Sequence, residues 1–248
     1  GKSTILKQVR ILHDDSWSDV NKDMEKVRIY SNIIEGMYQL CAGVELLGML
    51  MSQETEGHYA YIRTIIAVKK HSTPITVDTK RVLKTLWADP VIQKAYELRS
   101  ELQVADSIKH FLDSLDRITD SDYKPSNEDY LNLRIPTTAI SENRITINKN
   151  EFVFIDVGGQ RSQRKKWISH FESVNAIIFI SAISEFDQKM QESSDTNRLI
   201  DSMALYQAII NNSYFEKTAM ILFLNKTDLF MEKIKRRGID YLFKKYKG

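Results

Sequence analysis

Residues 151–160 read EFVFIDVGGQ, an apolar run that ends in an aspartate, two glycines and a glutamine. Two further continuous apolar runs follow at 176–181 and 219–224. Such runs are typical of parallel strands that are covered on both faces. The stretches between them, 161–171 and 197–210, have the apolar spacing of helices. This alternation of strand and helix predicts an α/β fold with a mostly parallel sheet.

Residues on either side of the first strand extend this unit. Residues 144–147 alternate between polar and apolar side chains, and Lys149-Asn150 can form a turn into the strand. Near the start of the chain, residues 2–12 carry apolar side chains on one helical face. They are therefore expected to form the first helix of the α/β unit.

The segment between these parts is different, because residues 18–127 contain no good strand candidate. Apolar residues instead recur at helical spacing in two series. The first comprises Val27, Ile34, Met37, Leu40 and Cys41, within a stretch 33–50 that is apolar over a broad face. The second comprises Leu98, Leu102, Ala105, Ile108, Phe111, Leu112 and Leu115. Asp89-Pro90 is typical of a helix start. We expect an all-helical domain at 18–130, inserted into an α/β domain formed by 1–14 and 133–248.

Composition bounds the class of protein. The 248 residues are 42% apolar and 27% charged, with a net charge of +2. This is ordinary for a globular protein and provides no electrostatic footprint for nucleic acid. Cys41 is the only cysteine, so an internal disulfide is excluded, and its apolar neighbours predict a core position. No apolar run approaches the roughly 20 residues needed to span a membrane.

The first four residues, Gly1-Lys2-Ser3-Thr4, match the end of the phosphate-binding motif G-x-x-x-x-G-K-[ST]. The N–H groups and dipole of a helix that begins at Lys2 would face an anion. Lys2 can reach terminal phosphates, and the Ser3 hydroxyl can ligate Mg²⁺. The alternative is an ordinary helix start with a serine cap.

Two further loops follow predicted strands. Asp156 can hold Mg²⁺ through water at the end of its strand, and Gly159 lets a backbone N–H approach a γ-phosphate. Gln160 can orient an attacking water. The alternative is a strand that ends in a glycine turn with an incidental glutamine. In Asn225-Lys226-Thr227-Asp228, the aspartate can accept from both the ring N–H and the amine of guanine, while its neighbours brace the base.

With 134–138 (RIPTT), these motifs make the chain resemble the α subunits of heterotrimeric G proteins over its whole length. The resemblance is carried by residues 1–4, 134–138, 156–162, 164–167 and 225–228, supported by 115–118 and 197–198. The run 156–167 is the most specific, because small GTPases resemble it only as far as Gln160. The implied fold is a Ras-like P-loop GTPase domain with an inserted helical domain that closes over the nucleotide.

The resemblance also implies roles for individual residues. Arg134 matches a built-in arginine finger and Gln160 the residue that positions water, so these two form the catalytic pair. Ser3 and Thr137 would ligate Mg²⁺ directly, and Asp156 through water. Arg164 and Asp201 match a pair that locks a switch segment when the γ-phosphate is present. The implied set of nucleotide-contacting residues is Gly1, Lys2, Ser3, Thr4, Asp106, Ser107, Leu131, Asn132, Arg134, Thr137, Asp156, Gly158, Gly159, Gln160, Asn225, Lys226 and Asp228.

Four residues depart from the family pattern: Asn132, Ala139, Gln163 and Asp201. Asn132 stands where an arginine near the ribose is usual, and Ala139 replaces a glycine of the first switch. None is part of the catalytic pair, so we expect hydrolysis at the slow rate, of order 10⁻² s⁻¹, that is typical when the arginine acts in cis. The main alternative is a GTP-binding adaptor that scarcely hydrolyses. A P-loop small-molecule kinase is disfavoured because the guanine-reading loop has no role there.

The implied partners are a βγ dimer, a G protein-coupled receptor, an effector and a regulator of G protein signalling, at the cytoplasmic face of the plasma membrane. Trp167 and Ile168 are predicted to be an exposed docking face, with a partly buried position as the alternative. Because the chain lacks an initiator methionine and half of the first motif, we expect a piece of a longer protein, with its lipid-bearing N-terminus and its C-terminal end outside the sequence. The strand before Gly1 would lie in mid-sheet, so the piece alone is expected to bind GTP poorly or misfold.

Overall fold

The computed structural model describes residues 1–14, 23–102, 104–137, 139–167, 170–171, 174–190 and 193–246. The chain divides into two compact units. One contains Gly1–Ile5, Thr137–Asn143 and Phe154–Gly248, and the other contains Leu6–Pro136 and Arg144–Val153. Mixed helix and parallel sheet confirm the α/β prediction at this level.

Helices dominate the first half of the chain. The predicted first helix is present as α1 (Lys2–His13). It is followed by α2 (Lys26–Leu46), α3 (Gln53–Ala67), α4 (Val77–Ala88), α5 (Pro90–Glu97), α6 (Arg99–Leu102), α7 (Ile108–Asp113), α8 (Leu115–Ile118) and α9 (Asn127–Asn132). The described residues between 23 and 132 contain no strand, as the sequence predicts.

The core of this half is built around α2. Its apolar residues at three- and four-residue spacing are fully buried, among them Ile33, Met37 and Leu40, because this spacing places them on one face. Cys41 is buried in the same core, as expected. The predicted stripe was wrong at one end, since Val27 is 47% exposed. It was also too long, because α2 ends at Leu46 and Leu50 is 93% exposed.

The second predicted series is not one helix. Its members lie in α6, α7 and α8 and in the short segments between helices, yet its later members Ile108, Phe111 and Leu115 are still buried. The helix start at Asp89-Pro90 is confirmed, because the Asp89 carboxylate accepts a hydrogen bond from the Val91 N–H at 2.8 Å and proline occupies the first turn.

The second half of the chain contains the strands. These are β1 (Ser141–Ile147), β2 (Asn150–Asp156), β3 (Ala176–Ala182), β4 (Lys189–Met190), β5 (Ser193–Asn197) and β6 (Ala219–Asn225). The helices are α10 (Arg161–Arg164), α11 (Arg198–Ile210) and α12 (Thr227–Ile234). The order among the described strands is β1-β2, β3-β6 and β4-β5, in three two-stranded sheets.

The hairpin β1-β2 turns one residue earlier than predicted. Asn148 and Lys149 both have positive φ, 51° and 67°, which is the conformation of the two-residue turns that fit the twist of a hairpin. The short pair β4-β5, which is antiparallel, carries no apolar run and was not predicted from the sequence.

Strands β3 and β6 pair in parallel over their full length, from Ala176 opposite Ala219 to Ala182 opposite Asn225. This confirms the prediction of parallel strands. Coverage on both faces is not seen, because Leu222, Phe223 and Leu224 of β6 are 41–58% exposed. Helix α11 packs on β3 and leaves these residues uncovered. Among the described residues, no helix combines the length and the apolar character required to cross a bilayer.

The helix predicted at 161–171 is shorter in the structure. Among the described residues of this stretch, α-helix is confined to α10, and the chain then turns through Lys165 and Lys166 to Trp167. Trp167 is only 9% exposed, so the prediction of an exposed docking face was wrong at this residue. The turn after Arg164 directs the indole inward, where its Nε1–H donates to the Gly158 carbonyl at 3.0 Å. Ile168 lies outside the described residues.

Candidate functional site

Three oxygen-bearing side chains from three separate segments meet at the start of α1. The Ser3 hydroxyl donates to the Asp156 carboxylate (Oδ2) at 3.1 Å, and it lies 3.1 Å from the Thr137 hydroxyl. Asp156 is the last residue of β2, at the carboxyl end of the strand, where ligands bind in open α/β sheets. The three groups that the sequence singled out as metal ligands therefore come together within one unit.

The chemistry of this donor set fits Mg²⁺. Hydroxyl and carboxylate oxygens are the hard ligands that this ion takes, and it keeps several waters of its own. Within the described ranges, no three His, Cys, Asp or Glu side chains cluster in a way that could hold a metal ion. The hydroxyl pair with one carboxylate is thus a different kind of site from a carboxylate cage.

The two glycines after Asp156 lie close to other groups of the site. A Cβ on Gly158 would lie 2.6 Å from the Thr137 carbonyl oxygen. A Cβ on Gly159 would lie 2.7 Å from the Lys2 ammonium nitrogen. Real Cβ atoms essentially never come this close to other atoms, so a side chain at 158 would force the Thr137 backbone to shift, whereas one at 159 would displace only the flexible end of Lys2.

Lys2 is the cation of the site. Burial lowers the pKa of Lys2, the carboxylate of Asp156 opposes this, and the guanidinium of Arg164 adds to it. An ammonium group held among other charges at a helix start is well placed to pair with an anion, because the pairing would offset the free-energy cost of its burial.

The loop after β6 approaches the same place. A Cβ on Gly1 would lie 2.6 Å from the Asn225 amide nitrogen. The Asn225 side-chain oxygen accepts from the Lys226 N–H at 2.8 Å, and Lys226 adopts a left-handed conformation with φ 60° that leads into α12. Asp228 lies in the first turn of α12 and is exposed.

Gln160 and the segment after it form the exposed side of the site. Gln160 immediately precedes α10 and is exposed. The predicted pair is formed, with Arg164 Nη2 donating to Asp201 Oδ2 at 2.5 Å. The sequence missed Arg161, whose guanidinium also donates to Asp201, at 2.7 Å. Burial alone would raise the pKa of Asp201, but the hydrogen bonds from Arg164 and Arg161 hold it below its usual value.

Apart from Thr4, the remaining predicted residues lie in the other unit: Asp106, Ser107, Leu131, Asn132 and Arg134. The Asp106 carboxylate accepts from Arg99 Nε at 3.0 Å. Ser107 precedes α7, and Leu131 and Asn132 end α9. The Asn132 amide donates to the Glu128 carbonyl at 3.1 Å.

Arg134 has an exposed side chain, but its backbone is firmly held. Two residues that sequence analysis missed hold Arg134 and the residues before it. The Lys7 ammonium donates to the Tyr130 and Leu133 carbonyls at 2.8 and 2.6 Å. The Asn32 side chain donates to the Arg134 carbonyl at 3.1 Å and accepts from the Arg134 N–H at 3.0 Å.

A weak sequence signal existed for Asn32, whereas the burial of Lys7 is seen only in the structure. Asn32 lies in the interior of a long helix, where asparagine is a poor helix former. Lys7 is a charged residue that is only 8% exposed, and burial lowers its pKa to about 8.

The helix that leads to Arg134 is anchored by a buried carboxylate. Asp129 is 0% exposed and accepts from the two terminal guanidinium nitrogens of Arg117, Nη1 and Nη2, at 2.7 Å. It is also hydrogen bonded to His110, Tyr123 and the Ser126 N–H at 2.8–3.0 Å. Burial alone would raise the pKa of Asp129, but these hydrogen bonds, Arg117 first among them, hold it well below its usual range.

Comparison with known proteins agrees with these observations. A family model described as "G-protein alpha subunit" matches residues 1–248. The chain is 43% identical over 249 residues to the guanine nucleotide-binding protein alpha-15 subunit of Caenorhabditis elegans, and 41% identical over 250 residues to the alpha-17 subunit of Caenorhabditis briggsae. It is also 43% identical over 249 residues to the alpha-3 subunit of Caenorhabditis elegans. Each match covers 100% of this chain and 70% of the relative.

Proposed function

Since this chain belongs to the G protein α-subunit family, we propose that it is a signal transducer that binds GTP with Mg²⁺ and hydrolyses it to GDP and phosphate. The observation that carries the proposal is the meeting of Ser3, Thr137 and Asp156 at the start of α1. Ser3 is 134 positions from Thr137 and 153 positions from Asp156 in the sequence, so their convergence does not come from local structure.

Phosphate binding would be the task of the start of α1. The free N–H groups of its first turn carry the positive end of the helix dipole, and the Lys2 ammonium adds a full charge beside them. Mg²⁺ would be held directly by the hydroxyls of Ser3 and Thr137 and through water by Asp156, and when bound it supplies charge that offsets that of the phosphates. Gly159 keeps the space beside the Lys2 ammonium free of a side chain, and Gly158 allows close approach to the Thr137 carbonyl.

The hydrolytic step would depend on two exposed side chains. Gln160 would orient the attacking water by hydrogen bonding, which does not require a strong base. The guanidinium of Arg134 would stabilise the charge that develops on the transferred phosphoryl group. Both side chains are exposed in the described structure and therefore free to contact a substrate.

Selection of guanine would be the task of the loop after β6. Asp228 would accept hydrogen bonds from the ring N–H and the amine of the base, a donor pair that adenine lacks. Asn225 supports this loop through its bond to the Lys226 N–H. Thr4 on α1, and Asp106, Ser107, Leu131 and Asn132 in the other unit, would contribute further contacts to the nucleotide.

We propose the domain organisation and the partners on the same basis. Residues 1–14 and 133–248 would form the Ras-like domain, and 18–130 the inserted helical domain. A βγ dimer, a G protein-coupled receptor, an effector and a regulator of G protein signalling would bind the transducer at the cytoplasmic face of the plasma membrane. The pair Arg164–Asp201 would hold the segment after Gln160 in the GTP-bound state.

Single-turnover hydrolysis of bound GTP by the full-length protein tests the proposal. Changing Gln160 to Leu should slow hydrolysis by about 100-fold or more, because the water loses its orienting group. Gln163→Leu is the matched control, since Gln163 lies one helical turn further along and packs against Gly158. If Gln160→Leu and the wild type hydrolyse GTP equally slowly, the protein is an adaptor that signals by occupancy and the proposed hydrolysis is refuted.

A further inference from the structure

The backbone on both sides of Arg134 is held by one side chain. Asn32 accepts from the Arg134 N–H at 3.0 Å and donates to the Arg134 carbonyl at 3.1 Å. An amide side chain carries one acceptor and one donor group in the arrangement of a peptide unit, so it pairs with a residue as a neighbouring strand would. Asn32 and Arg134 are 102 positions apart, and this contact lies within one unit.

The support for this clamp is rigid. Asn32 lies in α2, and its neighbours Ile29 and Ile33 are 0% exposed in the core. A residue fixed in this way has little freedom to follow a moving loop, because packed cores resist displacement. The amide of Asn32 therefore acts as a fixed point for the segment that it contacts.

The residues beside Arg134 make its orientation depend on the clamp. Leu133 is 3% exposed in the core and Ile135 packs against the same cluster, so the segment alternates and Arg134 points outward. Lys7 holds the carbonyls of Tyr130 and Leu133, but it does not contact Arg134. Only Asn32, among the described residues, bonds to both backbone groups of Arg134 itself.

We propose that Asn32 is a positioning residue for GTP hydrolysis, which fixes the backbone of Arg134 so that the guanidinium is presented in one direction. This inference rests on the proposed function of Arg134. A misplacement of about 1 Å can cost up to 100-fold in rate even when the change is remote from the reacting atoms. The arginine acts on charge that develops only during reaction, so the clamp should affect turnover and not nucleotide affinity.

The test compares single-turnover hydrolysis and GTPγS affinity in the full-length protein. For Asn32→Ala we expect hydrolysis to fall by about 10- to 100-fold, with GTPγS affinity changed by no more than about twofold. Asn32→Asp keeps the acceptor for the Arg134 N–H and lacks the donor for its carbonyl, so its hydrolysis rate should lie between those of the wild type and Asn32→Ala. Ser31→Ala is the matched control, because it removes the hydrogen bonds of the adjacent residue in α2 and should hydrolyse GTP as the wild type does.

A double variant separates positioning from general destabilisation. When Arg134 is already alanine, adding Asn32→Ala should change the rate by less than about twofold, because the two residues act as one unit. The inference is overturned if the double variant is slower than Arg134→Ala by the same factor that Asn32→Ala loses alone, or if Asn32→Ala hydrolyses GTP at the wild-type rate. Should Asn32→Ala fail to give a cooperative melt, Asn32→Asp is tested instead, both alone and combined with Arg134→Ala.

The outcome for Arg134 keeps the two claims distinct. If Arg134→Ala alone hydrolyses GTP as fast as the wild type, the proposed role of the arginine fails and the inference about Asn32 falls with it. If Arg134→Ala is slow and Asn32→Ala is not, only the inference fails.

Discussion

Asp129→Asn is the substitution for which the structure makes the sharpest prediction. Asp129 is fully buried, and its carboxylate accepts five hydrogen bonds, two of them from Arg117. An asparagine has nearly the same shape, but its amide group would face donors and it carries no charge. Arg117 is 47% exposed, so water can solvate its charge when the carboxylate is lost. The buried donors that would face the amide, such as the Tyr123 hydroxyl, lose their acceptor at a cost of about 1–3 kcal/mol. We expect a loss within this range in the free energy of unfolding.

The assay is urea unfolding of the full-length protein followed by far-ultraviolet circular dichroism. Asp116→Asn is the control, because Asp116 pairs with Lys80 and Lys84 but is 71% exposed, and it should change the stability little. A loss below about 1 kcal/mol for Asp129→Asn would refute the claim that this carboxylate anchors the helical core.

The pH dependence provides a second check of the same reasoning. The folded-state pKa of Asp129 is held well below its unfolded value of about 3.9. Its contribution to stability is therefore fully present above that value and is lost as the pH falls toward the folded pKa. The difference between wild type and Asp129→Asn should be constant near neutral pH and shrink below about pH 4. A difference that does not change with pH would contradict the ionised state of this group.

Three further predictions follow from other contacts. Lys7 has a pKa of about 8 in the folded protein and about 10.4 in the unfolded chain, so between these pH values only the unfolded chain holds the proton. The free energy of unfolding of the wild type, measured with urea, should therefore rise with pH in this range, and Lys7→Met should lack that rise. Gly158→Ala should cost about 1–3 kcal/mol in the same assay and Gly159→Ala less, because the first Cβ meets the Thr137 backbone and the second only the flexible end of Lys2. Arg164→Ala should destabilise the protein more than Arg161→Ala in thermal melts, because Arg164 is 22% exposed and Arg161 45%.

The sequence predicted well those features that have a local physical cause. Helix α1, the cap at Asp89 and strand β2 each follow from the spacing or chemistry of adjacent residues. The convergence of Ser3 with Asp156 could also be expected, because helix starts and the carboxyl ends of strands bind ligands at the same edge of an α/β sheet.

Features that depend on contacts between distant segments were not predictable in this way. Trp167 lies in a basic stretch whose spacing suits an exposed helix, and only the turn after Arg164 brings its indole to the Gly158 carbonyl. In the same way, nothing in the sequence around Arg161 distinguishes it from an ordinary surface arginine, although it bonds to Asp201 in the structure. Periodicity reports the average environment of a face, and it does not report which backbone carbonyl lies beside it.

The segment 130–135 shows why such contacts matter for function. After α9 ends at Asn132, the next described residues have no regular secondary structure, so the Leu133 carbonyl and both backbone groups of Arg134 lack partners from a helix or a strand. The side chains of Lys7 and Asn32 supply those partners instead. A catalytic residue on a loop needs this kind of support, because loops are mobile unless a rigid scaffold holds them. In the role proposed for Arg134, its exposed guanidinium is both accessible and oriented because Asn32 holds its backbone and Lys7 holds the residues before it.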